Sequence, residues 1–531
     1  MAFSRRRFRW FLLIAGAVSL LALVASRYIL PPYLIHFVKE RSTQIVRERF
    51  QAEVQFGHFD MTLIFPELFI TGDNVAISRK QEDRRPALIF VKKFSVRASL
   101  LQFARTPAHI QRIYLEGMNI HVPPRAPNSE PRVIKARKEH YPVIVDRLEC
   151  DDCELNILPK QLDKEPLQFA IHRLTMQTVG LSRSAPYQAQ LTNPKPNGEI
   201  QAHGNFGPWQ PEQPSLTALS GAYTFRNADL DPFPGIQGTL NSNGTFAGIL
   251  ERIVADGQTY MADFALDTTE HPIALKTQFH AIIDGTTGDT ALDPVKAQFL
   301  NSSLIASGGV FGLPGKKGKA VLLDVTVNPA RLEDLMRLGV KANPPPMIGA
   351  LRFHTQLAIG PGKTKVSERL KLDGRFYAKS AEPTNPETQD KLRKLSSRAQ
   401  GKPKNPAAGS DTFDLNGRFI LDRGVATFPT VTFAIPGATL NLSGEYGLHS
   451  EQLNFQGKLR LKAKLSQTTT GFKSFFLKAV DPFFKGEDAG TVLPIKITGT
   501  REKPSFGLAF HQKSGHADAN RKEEYRARRA P

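Results

Sequence analysis

From Leu453 to Leu465 the chain reads Leu-Asn-Phe-Gln-Gly-Lys-Leu-Arg-Leu-Lys-Ala-Lys-Leu, so that every second residue is apolar or Gly and every intervening one is polar. A strand turns successive side chains to opposite faces, whereas a helix would scatter these residues around its circumference. The stretch therefore encodes a strand with one dry and one wet face. The pattern returns at Leu440, Leu442, Gly444, Tyr446 and Leu448; at Val321, Leu323, Val325 and Val327; and at Leu351, Phe353, Leu357 and Ile359. Strands of this kind belong to antiparallel sheets with one solvated face. Gly, Asn and Pro fall between them, as in the turn Asp422-Arg-Gly424. Glycines also fall inside strands (Gly417, Gly444, Gly457, Gly499), which points to bends or bulges in a strongly curved sheet. Alternation leaves two closures open. Two sheets can pack face to face around a filled core, or one curved sheet can stay open with an apolar face able to receive acyl chains.

One segment departs from this pattern. Trp10 to Ser26 carries no charge, and Trp10, Phe11, Leu12, Leu13, Ile14, Leu20, Leu21, Leu23 and Val24 give it the apolarity of a membrane anchor. It is slightly shorter than the ~20 residues that spanning requires, and Tyr28 to Leu30 extend it past Arg27. Arg5, Arg6, Arg7 and Arg9 precede it, which places the N-terminus on the cytoplasmic side. A cleaved signal peptide is the competing reading, on the small residues of Val24-Ala-Ser26; the length of the apolar run favours a retained anchor. Residues 31–50 then show a broken apolar stripe expected for an amphipathic connecting helix. The remaining organisation is read as an N-terminal β unit at 51–122, a basic, Pro-rich linker at 123–140 and a central β region at 141–380. A disordered insertion follows at 381–411, then a C-terminal β module at 412–510 and a charged tail at 511–531. Two helices interrupt the strands. One runs from Pro329 to Leu338 and stops at Gly339. The other, within 472–484, places Phe472, Phe475, Phe476, Val480, Phe483 and Phe484 on one side, either packed on its own sheet or dipping into a bilayer surface.

Nothing in the sequence has the form of a catalytic site. The 13 His are scattered, no metal-binding His pair occurs, and no nucleophile elbow is present. Gly312 to Ala320 imitates a phosphate loop but has the wrong Gly spacing and lacks the Mg²⁺-binding hydroxyl, so a hairpin loop is expected. Cys150 and Cys153 form a C-x-x-C with three readings: a structural thiol pair or short-loop disulfide, half a zinc site, or a redox pair. No second pair completes a zinc site, and the surrounding carboxylates oppose a thiolate, so the structural pair is favoured. No enzyme, cofactor or metal is expected. The formal net charge of +20 attracts polyanions or an anionic membrane surface; the anchor favours lipid, and no motif favours nucleic acid. Phe, at 35 against 10 Tyr and 2 Trp, is the aromatic without a polar handle, suited to a dry face.

The stretch Gly471-Phe-Lys-Ser-Phe-Phe-Leu-Lys-Ala-Val-Asp-Pro-Phe-Phe484, followed by Ile495-Lys-Ile-Thr-Gly-Thr500 and Pro504-Ser-Phe506, resembles the C-terminal module of AsmA-like proteins. Val54-Gln-Phe-Gly-His-Phe59 and Leu115-Glu-Gly-Met-Asn-Ile-His-Val122, after the anchor, resemble that family's opening strands. The resemblance covers both ends of the chain and the middle only in style. It implies an elongated, twisted antiparallel β-sheet curled into an apolar groove, as in TamB and the bridge-like lipid transfer proteins. It also implies a single-pass place in a bacterial inner membrane, with the bulk of the chain in the periplasm, and a part in outer-membrane biogenesis through phospholipids. The groove would be lined by Leu440, Leu442, Tyr446, Leu453, Phe455, Leu459 and Leu461. The alternative is an assembly or tethering factor that meets envelope protein partners through a sheet edge.

Overall fold

The computed structural model describes residues 52–79, 87–103, 107–122, 143–158, 166–180, 182–210, 213–267, 269, 271–339, 342–362, 364–462, 492–500 and 503–508, together with His36, Lys39, Glu40, Thr43, Gln44 and Arg47. These last six are helical, at the spacing of one helix face within 31–50. Among the described residues no helix is long and apolar enough to cross a membrane; the apolar run at 10–26 lies outside them, as do the linker 123–140, the Phe-rich segment 472–484 and the tail.

The described chain is mainly β and forms two compact units. The first holds residues up to Asp267, with Pro272–Gln298 and Ala306–Gly315. Its strands are β1 (Ala52–Gln55), β2 (Phe59–Ile64), β3 (Glu67–Arg79), β4 (Ile89–Ser99), β5 (Ala108–Val122), β6 (Val143–Ile157) and β7 (Leu167–Val179). The series continues through β8 (Ala185–Pro194), β9 (Asn197–Phe206), β10 (Ala218–Asp229), β11 (Ile236–Gln237), β12 (Thr239–Ile249), β13 (Arg252–Leu266) and β14 (Ile273–Asp284). β15 (Asp289–Phe299) and β16 (Ser302–Gly312) follow, the residues 299–305 belonging to the second unit. A four-residue helix, α1 (Leu100–Phe103), follows β4.

β3 to β10 pair each with the next, β10 pairs with β12, β11 with β13, and β12 to β14 each with the next, all antiparallel but for one exception: β5 and β6 run parallel, Ala108 beside Val143 through Val122 beside Ile157. The expectation of a wholly antiparallel sheet is corrected here. A parallel pair requires a connection of a dozen residues or more, which the stretch 123–142 supplies.

The second unit holds β17 (Lys319–Arg331), β18 (Met347–Ile359), β19 (Leu370–Pro383), β20 (Phe413–Asp422), β21 (Val425–Ile435), β22 (Ala438–Gly447), β23 (Gln452–Leu461), β24 (Val492–Thr500) and β25 (Pro504–Leu508). Each pairs antiparallel with the next. Its helices are α2 (Leu332–Gly339), α3 (Val366–Arg369) and α4 (Pro386–Ala399). α2 begins three residues after the expected Pro329, because β17 continues through Arg331, and it ends at Gly339 as the sequence indicates. Its buried Asp334 accepts hydrogen bonds from Asn301 N (2.9 Å) and Ser302 Oγ (2.8 Å).

The segment 381–411, expected to be a disordered insertion, contains the end of β19 and all of α4. The local chemistry explains the helix. Asn385 caps it, its Oδ1 accepting from Glu387 N (2.9 Å) and Thr388 N (3.1 Å), and Pro386 occupies the first turn where its missing N–H costs nothing. The helix docks through small buried residues, Ser396, Ser397 and Ala399, and Ser396 donates to Pro436 O at 2.9 Å. Arg393 bridges Asp390 and Asp411. A polar composition was compatible with order because the docking face is small and hydrogen-bonded rather than a Leu stripe.

Candidate functional site

Residues opposite one another on paired strands share a face, so the register assigns the expected groove residues. Leu440 lies opposite Leu459, Leu442 opposite Gly457, Gly444 opposite Phe455, Tyr446 opposite Leu453 and Ala438 opposite Leu461. All seven expected residues therefore stand on one face of β22 and β23. The same face continues to Phe433, Val431 and Phe428 of β21 and to Leu493, Ile495 and Ile497 of β24.

What covers this face is read from burial. A sandwich interior would hold its large apolar side chains almost fully out of solvent. Here Leu440, Leu442, Tyr446, Leu453, Phe455 and Leu459 are half-buried, as are Phe353, Phe376 and Phe419 on the preceding strands; Leu461 reaches 8 % exposure. Among the described residues the largest side chains below 2 % exposure are Val327, Cys150, Ser396 and Ser397, a set without a single Leu, Ile or Phe. Among the described residues no second layer packs on this apolar face, and the sheet is open. In the first unit the corresponding face carries Leu68, Ile70, Val96, Ile113, Leu115 and Leu148, half-buried in the same way.

The in-strand glycines shape this face. Register shifts fall beside two of them, between Arg418 and Ile420 next to Gly417 and between Phe428 and Val431 opposite Gly444, while Gly457 stands in an undisturbed ladder. They also leave room for rings. A Cβ on Gly374 would lie 2.7 Å from the Phe419 ring, one on Gly444 2.7 Å from Phe455, and one on Gly72 2.6 Å from Phe94. Each is a contact that no real Cβ makes, so the rings lie flat over the glycines of the adjacent strand, with Phe428–Phe455 and Phe353–Phe419 centroids 5.7 and 5.5 Å apart. Gly499 does adopt a left-handed backbone, φ +93°, where β24 turns toward β25.

A further row of irregularities crosses five strands of the first unit, and strict alternation does not reveal it. β3, β4, β5, β6 and β7 each carry one extra residue at the same level: Asn74, Lys92, Gly117, Asp152 and His172. Asn74, Gly117 and Asp152 have φ between +53° and +63°. The signal was present as a phase slip, two consecutive polar or Gly residues inside an alternating strand, such as Asp73-Asn74 and Asp151-Asp152.

The same slip settles the geometry of the cysteines. In a regular strand, residues three apart face opposite sides. The bulge at Asp152 turns Cys150 and Cys153 to one face, with Cα atoms 6.2 Å apart, and they are disulfide-bonded and buried at 0 and 3 % exposure. They sit mid-strand, away from any helix N-terminus, and among the described residues no group of His, Cys, Asp or Glu could hold a metal ion.

The opposite face is polar and laced with exposed ion pairs. Arg418 grips Asp373 with two bonds (3.0 and 2.7 Å), which hold that carboxyl below its usual range. Arg112 and Arg147 share Glu149, and Arg97 pairs with Glu67 at 2.9 Å. Solvent screens such exposed pairs, so they add little to stability. On the apolar side the notable polar groups are Tyr187, whose hydroxyl burial pushes up to about 12, and Tyr223, raised by burial while its bond to Ser242 Oγ (3.0 Å) acts in the other sense. Comparison with protein-family models, with curated proteins and with solved structures returns no match.

Proposed function

We propose that this chain is an AsmA-like envelope protein that holds phospholipid acyl chains against its apolar sheet face, with no catalytic step. The observation that carries the reading is the face of β18 to β24, which no second layer covers among the described residues: aligned Leu, Ile and flat Phe rings stay only partly buried where a closed core would bury them fully. Contiguous apolar surface of this extent marks a binding surface in a soluble setting. Transfer of each methylene from water contributes about 0.8 kcal/mol, so one acyl chain along the face contributes on the order of 10 kcal/mol. Headgroups would remain at the wet rim, and the curl of the sheet would make the face a groove. The apolar run at 10–26 would tether the chain to a bacterial inner membrane, with its bulk in the periplasm and outer-membrane biogenesis as the process served.

The test is mass spectrometry of lipids retained by the purified full-length chain, with and without Phe455→Asp and Leu459→Asp introduced together. The expected result is near-stoichiometric phospholipid in the parent and its loss in the doubly charged variant, whose circular dichroism stays that of a β protein. A parent that folds but retains no lipid would sink the reading and leave a protein partner as the cover for this face.

A further inference from the structure

The polar face of the first unit carries a second, separate feature. A cavity of about 760 Å³ lies over β10, β12, β13, β14 and β15. The register sorts its lining into two cross-strand rows on the polar side, Thr224–Asn243–Gln258–Gln278 and Asn241–Tyr260–Lys276. Arg226, Lys296 and Gln298 complete it.

Three properties of this lining act together. Arg226, Lys276 and Lys296 bring three positive charges, no carboxylate lines the cavity, and none of the three makes a salt bridge among the described residues. Glu199 stands in register with Arg226 but is not bonded to it. Five amides, those of Asn241, Asn243, Gln258, Gln278 and Gln298, offer donors and acceptors side by side. Only part of that capacity is used internally: Gln258 donates to Asn243 at 3.3 Å, and Asn241 accepts from Asn227 N at 3.2 Å. Tyr260, 45 % exposed, presents its ring as a platform, with Lys276 Nζ 5.9 Å from its centroid.

Closely spaced hydroxyls with an apolar C–H face beside them are what paired amides and an open aromatic ring recognise; unpaired cations add a requirement for negative charge. We propose that this cavity binds an anionic oligosaccharide. Its size suits two or three sugar rings, since ligand pockets of roughly 300–1,000 Å³ hold small molecules of that class. A single-stranded nucleic acid is less suited, because a base-stacking track needs successive aromatic platforms, and of the two aromatic residues at the cavity Phe225 lies out of phase with the polar rows, which leaves Tyr260.

Titration calorimetry on the full-length chain at physiological ionic strength tests this, with a heparin-derived tetrasaccharide, neutral maltotetraose, inorganic phosphate and oligothymidylate as probes. The sulfated tetrasaccharide should bind saturably. Lys276→Gln with Lys296→Gln should weaken it about tenfold or more, as the loss of two charge-assisted contacts implies. Tyr260→Ala should weaken the sulfated tetrasaccharide about fivefold, and neutral maltotetraose should bind the parent much more weakly than the sulfated probe. The Phe455→Asp, Leu459→Asp chain should bind it like the parent, which separates this site from lipid retention. Absence of binding, or binding that the three substitutions leave unchanged, overturns the proposal. So does phosphate that binds as well as the tetrasaccharide, or oligothymidylate that binds more tightly through the same residues.

Discussion

Strands β8 to β14 and strands β18 to β24 use one device for two surfaces. In both, glycines of one strand lie beneath aromatic rings of the next. A Cβ on Gly257 would meet the Phe279 ring at 2.8 Å and the Tyr223 hydroxyl at 2.9 Å, much as one on Gly374 would meet Phe419. The rings differ. In the second region they are Phe353, Phe376, Phe419, Phe428 and Phe455, hydrocarbon throughout. In the first, Tyr187 and Tyr223 take part, and Ser242, Thr259 and Thr277 form a line of hydroxyls, Thr259 and Thr277 within 2.6 Å of each other. Alternation alone thus fixes which face a residue occupies, not what that face will tolerate. Under the same glycine–ring pattern, the first region adds hydrogen-bonding groups to its apolar face.

If the glycine device is common to both, filling it should cost both alike. Gly374→Val and Gly257→Val are each expected to destabilise by about 3 kcal/mol, read from guanidinium unfolding, because ring and backbone must both move. Gly360→Ala, with nothing within 4 Å of its would-be Cβ, should be near neutral. A large cost in only one region would break the parallel.

The hydroxyl network should separate the regions at smaller cost. Tyr223→Phe removes the bond to Ser242, whose own hydroxyl still reaches Gln258 O at 3.1 Å, so about 1 kcal/mol is expected in the same assay. The smallest effect is one of pH. Tyr187 ionises at about 12 in the folded chain against 10.0 when free, because burial disfavours the phenolate. Between those values the folded state holds the proton that the unfolded state has lost, so stability falls as pH rises through the window. Tyr187→Phe should lessen that decline in unfolding curves recorded from pH 9 upward; an unchanged decline would mean the hydroxyl is not held in its buried site.

Much of the apolar face was legible because period 2 is a property of single strands: Leu440, Leu442, Phe455 and Leu459 needed no knowledge of their neighbours. What escaped was relational. The glycine–ring pairs depend on which strand lies beside which, as Gly374 and Phe419 are far apart in sequence yet in register. The polar cavity draws on five strands between Thr224 and Gln298, and nothing in any one of them marks it. α4 was hidden for a different reason. Its Asn385-Pro386 start signal is local and readable, but its docking face is made of Ser and Ala, which a search for apolar stripes passes over.

Along β3 to β7 the chain cannot change length one strand at a time. Deleting Asp152 alone would make β6 a perfect alternation to the eye, yet it would turn Cys153, Leu155 and Ile157 toward water and leave Cys150 without its bonded partner on the same face. The same arithmetic binds Asn74, Lys92, Gly117 and His172. Insertions and deletions at this level are tolerable only in twos, or in all five strands at once, so the row acts as a parity lock on how this part of the molecule can diverge. Among related chains, strand lengths across this level should differ by even numbers, or by the same number in all five strands, whatever happens to the residues themselves.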